Sequence, residues 1–166
     1  ATHACTTHAP RMHHACTTHA PCMHHAHAAD PPGIEIAEEE QASLTAALLT
    51  FSCVPLYLEP ELHKTFYFGF CRAFLWPTFH NVIKARCFSQ KVWRAYCTVN
   101  RLLADKVIES YNSGDVVWVH DYHLLLLPSY ILRKLRTTRV GLFLHIPFPS
   151  SEIFRTISVR DELLRG

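Results

Sequence analysis

Five residues in two short stretches are of types that can do chemistry together. Val116-Val117-Trp118-Val119 runs directly into His120-Asp121-Tyr122-His123, and Val140-Gly141-Leu142-Phe143-Leu144 runs directly into His145. Each apolar run reads as a buried strand, the first rich in β-branched residues. Residues 124–136, between them, have a helical apolar pattern with Arg133, Lys134 and Arg136 near the C-terminal end. Strand, helix, strand joined this closely is a βαβ unit with a right-handed crossover. That topology gathers both histidine-bearing loops at the carboxyl edge of one parallel sheet, the edge where open α/β sheets bind ligands.

Three chemistries compete for imidazoles and a carboxylate at such an edge. His120, Asp121 and His123 could ligate a metal, but adjacent residues after a strand point in different directions, and no further ligand follows at a known spacing. Phosphoryl transfer or hydrolysis lacks a phosphate cradle, since the chain has only five glycines and neither a GxGxxG nor a Walker pattern. A polyhydroxylated ligand suits the residues better. Asp121 would take sugar hydroxyls, His145 would donate or accept, and aromatic faces would stack on the ring. For His120 and His123 the pattern favours backbone contacts in a tight turn; for Asp121 and His145 it favours function.

The rest of the sequence must supply the frame. With 166 residues, 49% of them hydrophobic, it can build a core. A formal charge of +2 is too small to imply nucleic acid or an anionic membrane as partner. No apolar run approaches the roughly 20 residues of a membrane span, and no signal-peptide pattern opens the chain, so a cytoplasmic location is expected. The seven cysteines are scattered. Cys53, Cys71, Cys87 and Cys97 lie among apolar residues without CxxC spacing and read as reduced core cysteines.

Residues 1–31 are of another kind. HACTTHAP occurs at 3–10 and again at 14–21, and eight of the thirteen histidines fall here. Cys5 with His8, and Cys16 with His19, have ligand-like i,i+3 spacing. The segment nevertheless has no apolar period, and the expectation is a disordered low-complexity arm ahead of a domain at 32–166.

Within that domain, EEEQASLTAALL reads as a helix with carboxylates at its N-terminal end, and FSCVPLYL (51–58) as a buried strand. Pro60 suits the first turn of a helix. FYFGFCRAFLWPTF (66–79) is dense in aromatics, either a packed corner or a wall for a sugar ring, and Pro77 should end or kink any helix there. Ser89 can cap a helix carrying Val92, Tyr96, Val99, Leu103 and Val107 at helical spacing, stopped by Asn112-Ser113-Gly114. That helix reads as packing only, with Trp93 and Cys97 in the core.

WVHDYHLLLLP, GLFLHIPFPSSEIFRT and VRDELLRG, with PGIEIAEEEQ, CVPLYL and FYFGFCRAFLWPTFH upstream in the same order, closely resemble the trehalose-6-phosphate synthases. The resemblance spans about residues 32–166. It implies an α/β fold: an incomplete Rossmann-like, GT-B N-terminal domain with a parallel sheet and flanking helices. The implied activity is that of a retaining glycosyltransferase moving glucose from UDP-glucose to glucose 6-phosphate, without metal or other cofactor. By the same resemblance, Tyr67 faces the acceptor phosphate and Trp76 the acceptor sugar. Asp121 binds acceptor hydroxyls, His145 contacts the donor glucose, and Ile146 shapes the pocket around the transferred carbon. His145 and Asp121 are thus the candidate catalytic residues. The chain is expected to be a fragment that is inactive alone, completed by a homo-oligomer or a partner chain. The alternative is a non-catalytic relative that senses sugar phosphates.

Overall fold

The computed structural model describes residues 2–7, 12–16, 36–82 and 88–165. Two strands come first, β1 (Thr2–Thr7) and β2 (Met12–Cys16), then helix α1 (Glu38–Thr50), strand β3 (Cys53–Leu56) and helix α2 (Pro60–Lys64). A π-helical segment, Thr65–Leu75, continues into the short helix α3 (Trp76–Phe79). The long helix α4 (Gln90–Ser110), strand β4 (Val116–His120), a 3-10 turn at Tyr122–Leu124, helix α5 (Leu127–Lys134) and strand β5 (Arg139–Phe143) follow. Helices α6 (Ser151–Arg155) and α7 (Arg160–Leu164) complete the α/β architecture.

The sheet order is β3-β1-β2-β4-β5. β4 and β5 are parallel, with Val116 opposite Arg139 and His120 opposite Phe143. The βαβ unit expected from the sequence is therefore present, and both histidine-bearing loops leave the same edge. On its other side β4 pairs in parallel with β2, while β1 runs antiparallel to both β2 and β3. Here the structure differs from a reading that keeps all of residues 1–31 outside the sheet. Strand pairing draws on backbone N–H and C=O groups, which an extended segment supplies without any apolar period. The inner sides of β3 and β4 would otherwise be unpaired edges. The ligand-like residues His8 and His19 lie outside the described residues.

Helix α4 organises both halves of the core. Ser89 caps it by accepting the Val92 N–H, and Gly114, at φ 95°, lets the chain turn back towards β4. The first half of α4 buries Trp93, Tyr96 and Val99 against Phe66, Phe70, Phe74 and Leu75. The second half buries Leu103, Ala104 and Val107 against Val117 and Val119 of β4 and Leu127 and Ile131 of α5. Cys71 is fully buried, while Cys53 and Cys97 are half-buried.

The aromatic stretch does not stop at Pro77. Trp76 donates its N–H to Cys71 O, five residues back, and His80 donates to Trp76 O, four residues back. Pro77, which has no N–H to donate, stands just where five-residue spacing gives way to four-residue spacing, so its missing bond falls at the change of ladder. The wider π turn also explains the burial pattern. Phe66, Phe70, Cys71, Phe74 and Leu75 face inward while Ala73 faces solvent, a spacing of four to five residues. Asn81 closes the segment at φ 53°, a left-handed conformation that asparagine tolerates.

Gly69 lets the π segment lie close to α4. A Cβ built there would stand 2.9 Å from Val92 Cγ1, and the stiff β-branched valine has little room to yield. Gly69→Ala is expected to destabilise the chain by about 1–3 kcal/mol, despite alanine's better helix propensity. In a Val92→Ala background most of that loss should vanish. Urea unfolding of the four members of the cycle tests this, and an equal loss in both backgrounds would disprove the close-approach account.

A second expectation concerns pH. Burial pushes the Cys71 thiol well up, helped by the nearby Asp121 side chain. Burial also pushes the Tyr96 phenol well up. Both groups hold their protons more tightly when folded. Their contribution is therefore intact below the ordinary thiol value of about 8.5 and is lost as pH climbs through that range and past the phenol range near 10. Unfolding free energy, measured in urea under reducing conditions, should be level near neutrality and fall increasingly steeply above pH ~9. A flat profile to pH ~11 would contradict it.

Candidate active site at the carboxyl edge of the sheet

The site is built on one hydrogen bond and one unusual backbone angle. At the end of β4 the Asp121 N–H donates to Phe143 O at 2.8 Å, extending the ladder to β5 by one residue. The chain then turns with Asp121 at φ 73° and ψ 169°, a region otherwise left to glycine. Asp121 Oδ1 accepts the Tyr122 N–H at 2.9 Å and caps the 3-10 turn. Its Oδ2 lies 3.8 Å from His123 Nδ1. Asp121 is 4% exposed, and Tyr122 and His123 are equally enclosed.

Helix α4 clamps this turn from below. Tyr96 Oη donates to Tyr122 O at 2.9 Å and accepts the Leu125 N–H at 3.0 Å. Asn100 Nδ2 donates to His123 O at 3.1 Å and to Tyr96 O at 2.9 Å. The helix read from sequence as packing alone thus satisfies two buried carbonyls of the turn. Helical spacing reports which face of a helix is buried, not that a buried tyrosine hydroxyl and an asparagine on that face meet a loop 23 to 29 residues later. An asparagine on an otherwise apolar face was the available signal.

The aromatic residues line up beside the turn. Tyr67 stacks on His123 with ring centroids 5.7 Å apart and planes 11° apart, and on His63, also at 5.7 Å. Tyr122 contacts His123 at 3.9 Å, Trp76 at 5.8 Å and Phe79 at 6.1 Å. Burial raises the Tyr122 phenol, which stays protonated at any ordinary pH. Trp76 is 40% exposed and rests on His80, whose ring is 3.8 Å away. The structure therefore joins Tyr67, Trp76 and Asp121 through the rings of Tyr122 and His123. His123 does more than fill the turn, because it stacks on Tyr67 and faces the Asp121 carboxyl group.

His145 is exposed, just beyond β5, and touches His120 rather than Asp121. His120 Nδ1 and His145 Nε2 are 3.1 Å apart. Ile146 is half-buried and packs on the aromatic core. Among the described residues no group of three His, Cys, Asp or Glu side chains is placed to hold a metal ion, and no helix is long and apolar enough to cross a membrane. A groove of about 280 Å³ between α2 and α4, lined by Glu59, Glu61, Thr65, Lys91 and Arg94 among others, contains none of the residues singled out from the sequence.

Comparison with known proteins follows the same outline. The chain is 45% identical over 139 residues to the probable alpha,alpha-trehalose-phosphate synthase (UDP-forming) 9 of Arabidopsis thaliana, a match covering 80% of this chain and 16% of that protein. It is 44% identical over 142 residues to the alpha,alpha-trehalose-phosphate synthase (UDP-forming) of Yarrowia lipolytica, covering 81% and 30%. The crystal structure of an alpha,alpha-trehalose-phosphate synthase (UDP-forming) from Burkholderia xenovorans, in complex with glucose-6-phosphate, superimposes with a TM-score of 0.62 at 32% identity, over 68% of this chain and 24% of that one. The chain thus spans about a sixth to a third of the length of these relatives. With residues 20–166 matching the model of glycosyltransferase family 20, the chain belongs to that family.

Proposed function

We propose that this chain is the part of a UDP-forming trehalose-6-phosphate synthase that binds the acceptor sugar and the reacting end of the donor. The observation that carries the reading is Asp121. A buried aspartate occupies backbone angles suited to glycine, at the carboxyl edge of a parallel sheet, in a family 20 chain. Strain of this kind persists where the side chain has work to do. The relative crystallised with glucose-6-phosphate supports a sugar phosphate as acceptor, and the UDP-forming names of the relatives support UDP-glucose as donor.

In this reading Asp121 accepts hydrogen bonds from acceptor hydroxyls, in a setting of low dielectric that strengthens them. The half-exposed face of Trp76 lies along the acceptor ring, and Tyr67, stacked with both His63 and His123, faces the phosphate. His145 meets the donor glucose, with Ile146 shaping the space near the transferred carbon. The anomeric hydroxyl of glucose 6-phosphate forms the new bond to the donor's anomeric carbon. The bond to the UDP oxygen breaks on the same face, and the hydroxyl proton leaves with that phosphate. Such a reaction depends on positioning and charge stabilisation more than on a strong base, and it uses no resident cofactor. The exposed side chains of Leu142, Phe143 and Phe148 beside the site suit a further domain, a second copy or a partner chain. The free thiols Cys71 and Cys97 suit the cytoplasm.

The test is UDP release from UDP-glucose that depends on glucose 6-phosphate, assayed in the family-length protein containing this chain. Asp121→Asn should lower kcat/KM roughly ten- to hundredfold, the value of about 1.5–3 kcal/mol for a charged hydrogen bond. Wild-type protein that hydrolyses or transfers nothing in the presence of both substrates would refute the reading. Strain gives an independent handle. Asp121→Gly and Asp121→Ala both remove the carboxyl group, but glycine accepts φ 73° and alanine does not. The glycine variant should be the more stable by about 1–2 kcal/mol in urea, with activity equally lost in both.

A further inference from the structure

His120 and His145 end neighbouring parallel strands, and their rings meet. His120 Nδ1 lies 3.1 Å from His145 Nε2, with ring planes 24° apart. Trp118 stacks on His120 with centroids 5.1 Å apart, and Phe143 sets its ring edge-on to His145 at 5.0 Å. A neutral imidazole has one N–H and one lone pair. A hydrogen bond between two neutral rings therefore holds one proton, and the choice of donor has a consequence at the far side of His145. If His120 Nδ1 donates, His145 carries its own proton on Nδ1 and offers a donor there. If His145 Nε2 donates, its Nδ1 offers a lone pair instead.

We propose that His120 is a positioning residue for His145: it fixes the orientation of the His145 ring and selects the tautomer that His145 presents at Nδ1 to a hydroxyl-bearing ligand. Second-partner control of this kind governs which nitrogen of a functional histidine is protonated. The sheet makes it possible. His120 is opposite Phe143 in the β4–β5 register, and the Asp121 N–H to Phe143 O bond prevents the two strand ends from sliding apart. A hydroxyl group can donate or accept, so the tautomer decides which way round it binds. That the hydroxyl belongs to the donor glucose rests on the function proposed above; the pairing of the two rings does not.

The experiment is two-bond 1H–15N imidazole NMR on the full chain, with the His145 signals identified by their loss in His145→Gln. The wild type should show a single His145 tautomer, one nitrogen of protonated type and one bare, and a coupling across the hydrogen bond between His120 Nδ1 and His145 Nε2. His120→Phe keeps an aromatic ring beside Trp118 but removes Nδ1, and should leave both His145 nitrogens averaged. His120→Asn returns a polar atom near the Nδ1 position and should restore one tautomer. An averaged wild type, a wild type without the coupling, or a His145 tautomer unchanged by His120→Phe would each overturn the proposal. The two wild-type measurements decide even if a variant does not fold. UDP-glucose is the probe for the ligand. It should shift the His145 signals, with roughly fivefold to tenfold more required in His120→Phe. Signals that keep the single-tautomer signature but ignore UDP-glucose would sink the donor reading while leaving the histidine pair in place.

Discussion

A single backbone hydrogen bond, Asp121 N–H to Phe143 O, determines where everything at the carboxyl edge stands. It prolongs the parallel pairing by one residue past the last pair of the ladder, so β4 and β5 end level. Level ends place His120 opposite Phe143 and bring His145 within reach of His120. With its N–H committed to β5, Asp121 swings the chain away through φ 73°. Oδ1 then closes the turn onto the Tyr122 N–H. Position, strain and capping thus meet at one residue.

A strained turn survives only when its surroundings over-determine it, and α4 supplies that. The Tyr96 hydroxyl bridges Tyr122 O and Leu125 N–H, so one buried group satisfies an acceptor and a donor three residues apart. Asn100 repeats the service for His123 O. Buried backbone groups left unpaired here would each forfeit about 1–3 kcal/mol, comparable to the strain itself. The turn and the helix are therefore mutually dependent, although neither contributes its polar groups to the other's regular ladder. The aromatic core around Tyr96, formed by Phe66, Phe70 and Trp93, keeps water from competing for these bonds.

Much of this was legible in the residues. Period and punctuation located β4, β5 and α4, because a β-branched run, a serine cap and a turn glycine each act locally. The position of Asp121 and His145 at one edge followed from βαβ handedness and parallel pairing. Other features depend on contacts distant in sequence and were not legible. Asn100, polar on an apolar helix face, signals that a partner is needed, but nothing near it or Tyr96 says that the partner is a turn more than twenty residues later. Pro77 reads as a breaker at α-helical spacing, whereas the last bond of the π ladder is donated by Trp76 and the N–H that Pro77 lacks falls just past it. His120 and His123 looked like turn filler, since a strand pattern does not say which ring will meet which across the sheet. The strands at Thr2–Thr7 and Met12–Cys16 have no apolar period to betray them, because their pairing is a backbone matter.

The two sides of the site are built by different physics, and this bears on how each can act. Around Asp121 the groups are enclosed, stacked and doubly hydrogen-bonded, so that side is rigid before any ligand arrives and suits recognition of a fixed pattern of hydroxyls. Around His145 the side chain is exposed and held by its pairing with His120 and the edge-on ring of Phe143, itself half exposed. An enclosed, hydrogen-bonded turn thus shares the sheet edge with an exposed imidazole held by two neighbouring rings. The tether through His120 is what keeps that exposure from becoming disorder, by fixing the orientation of the His145 ring and the place of its proton.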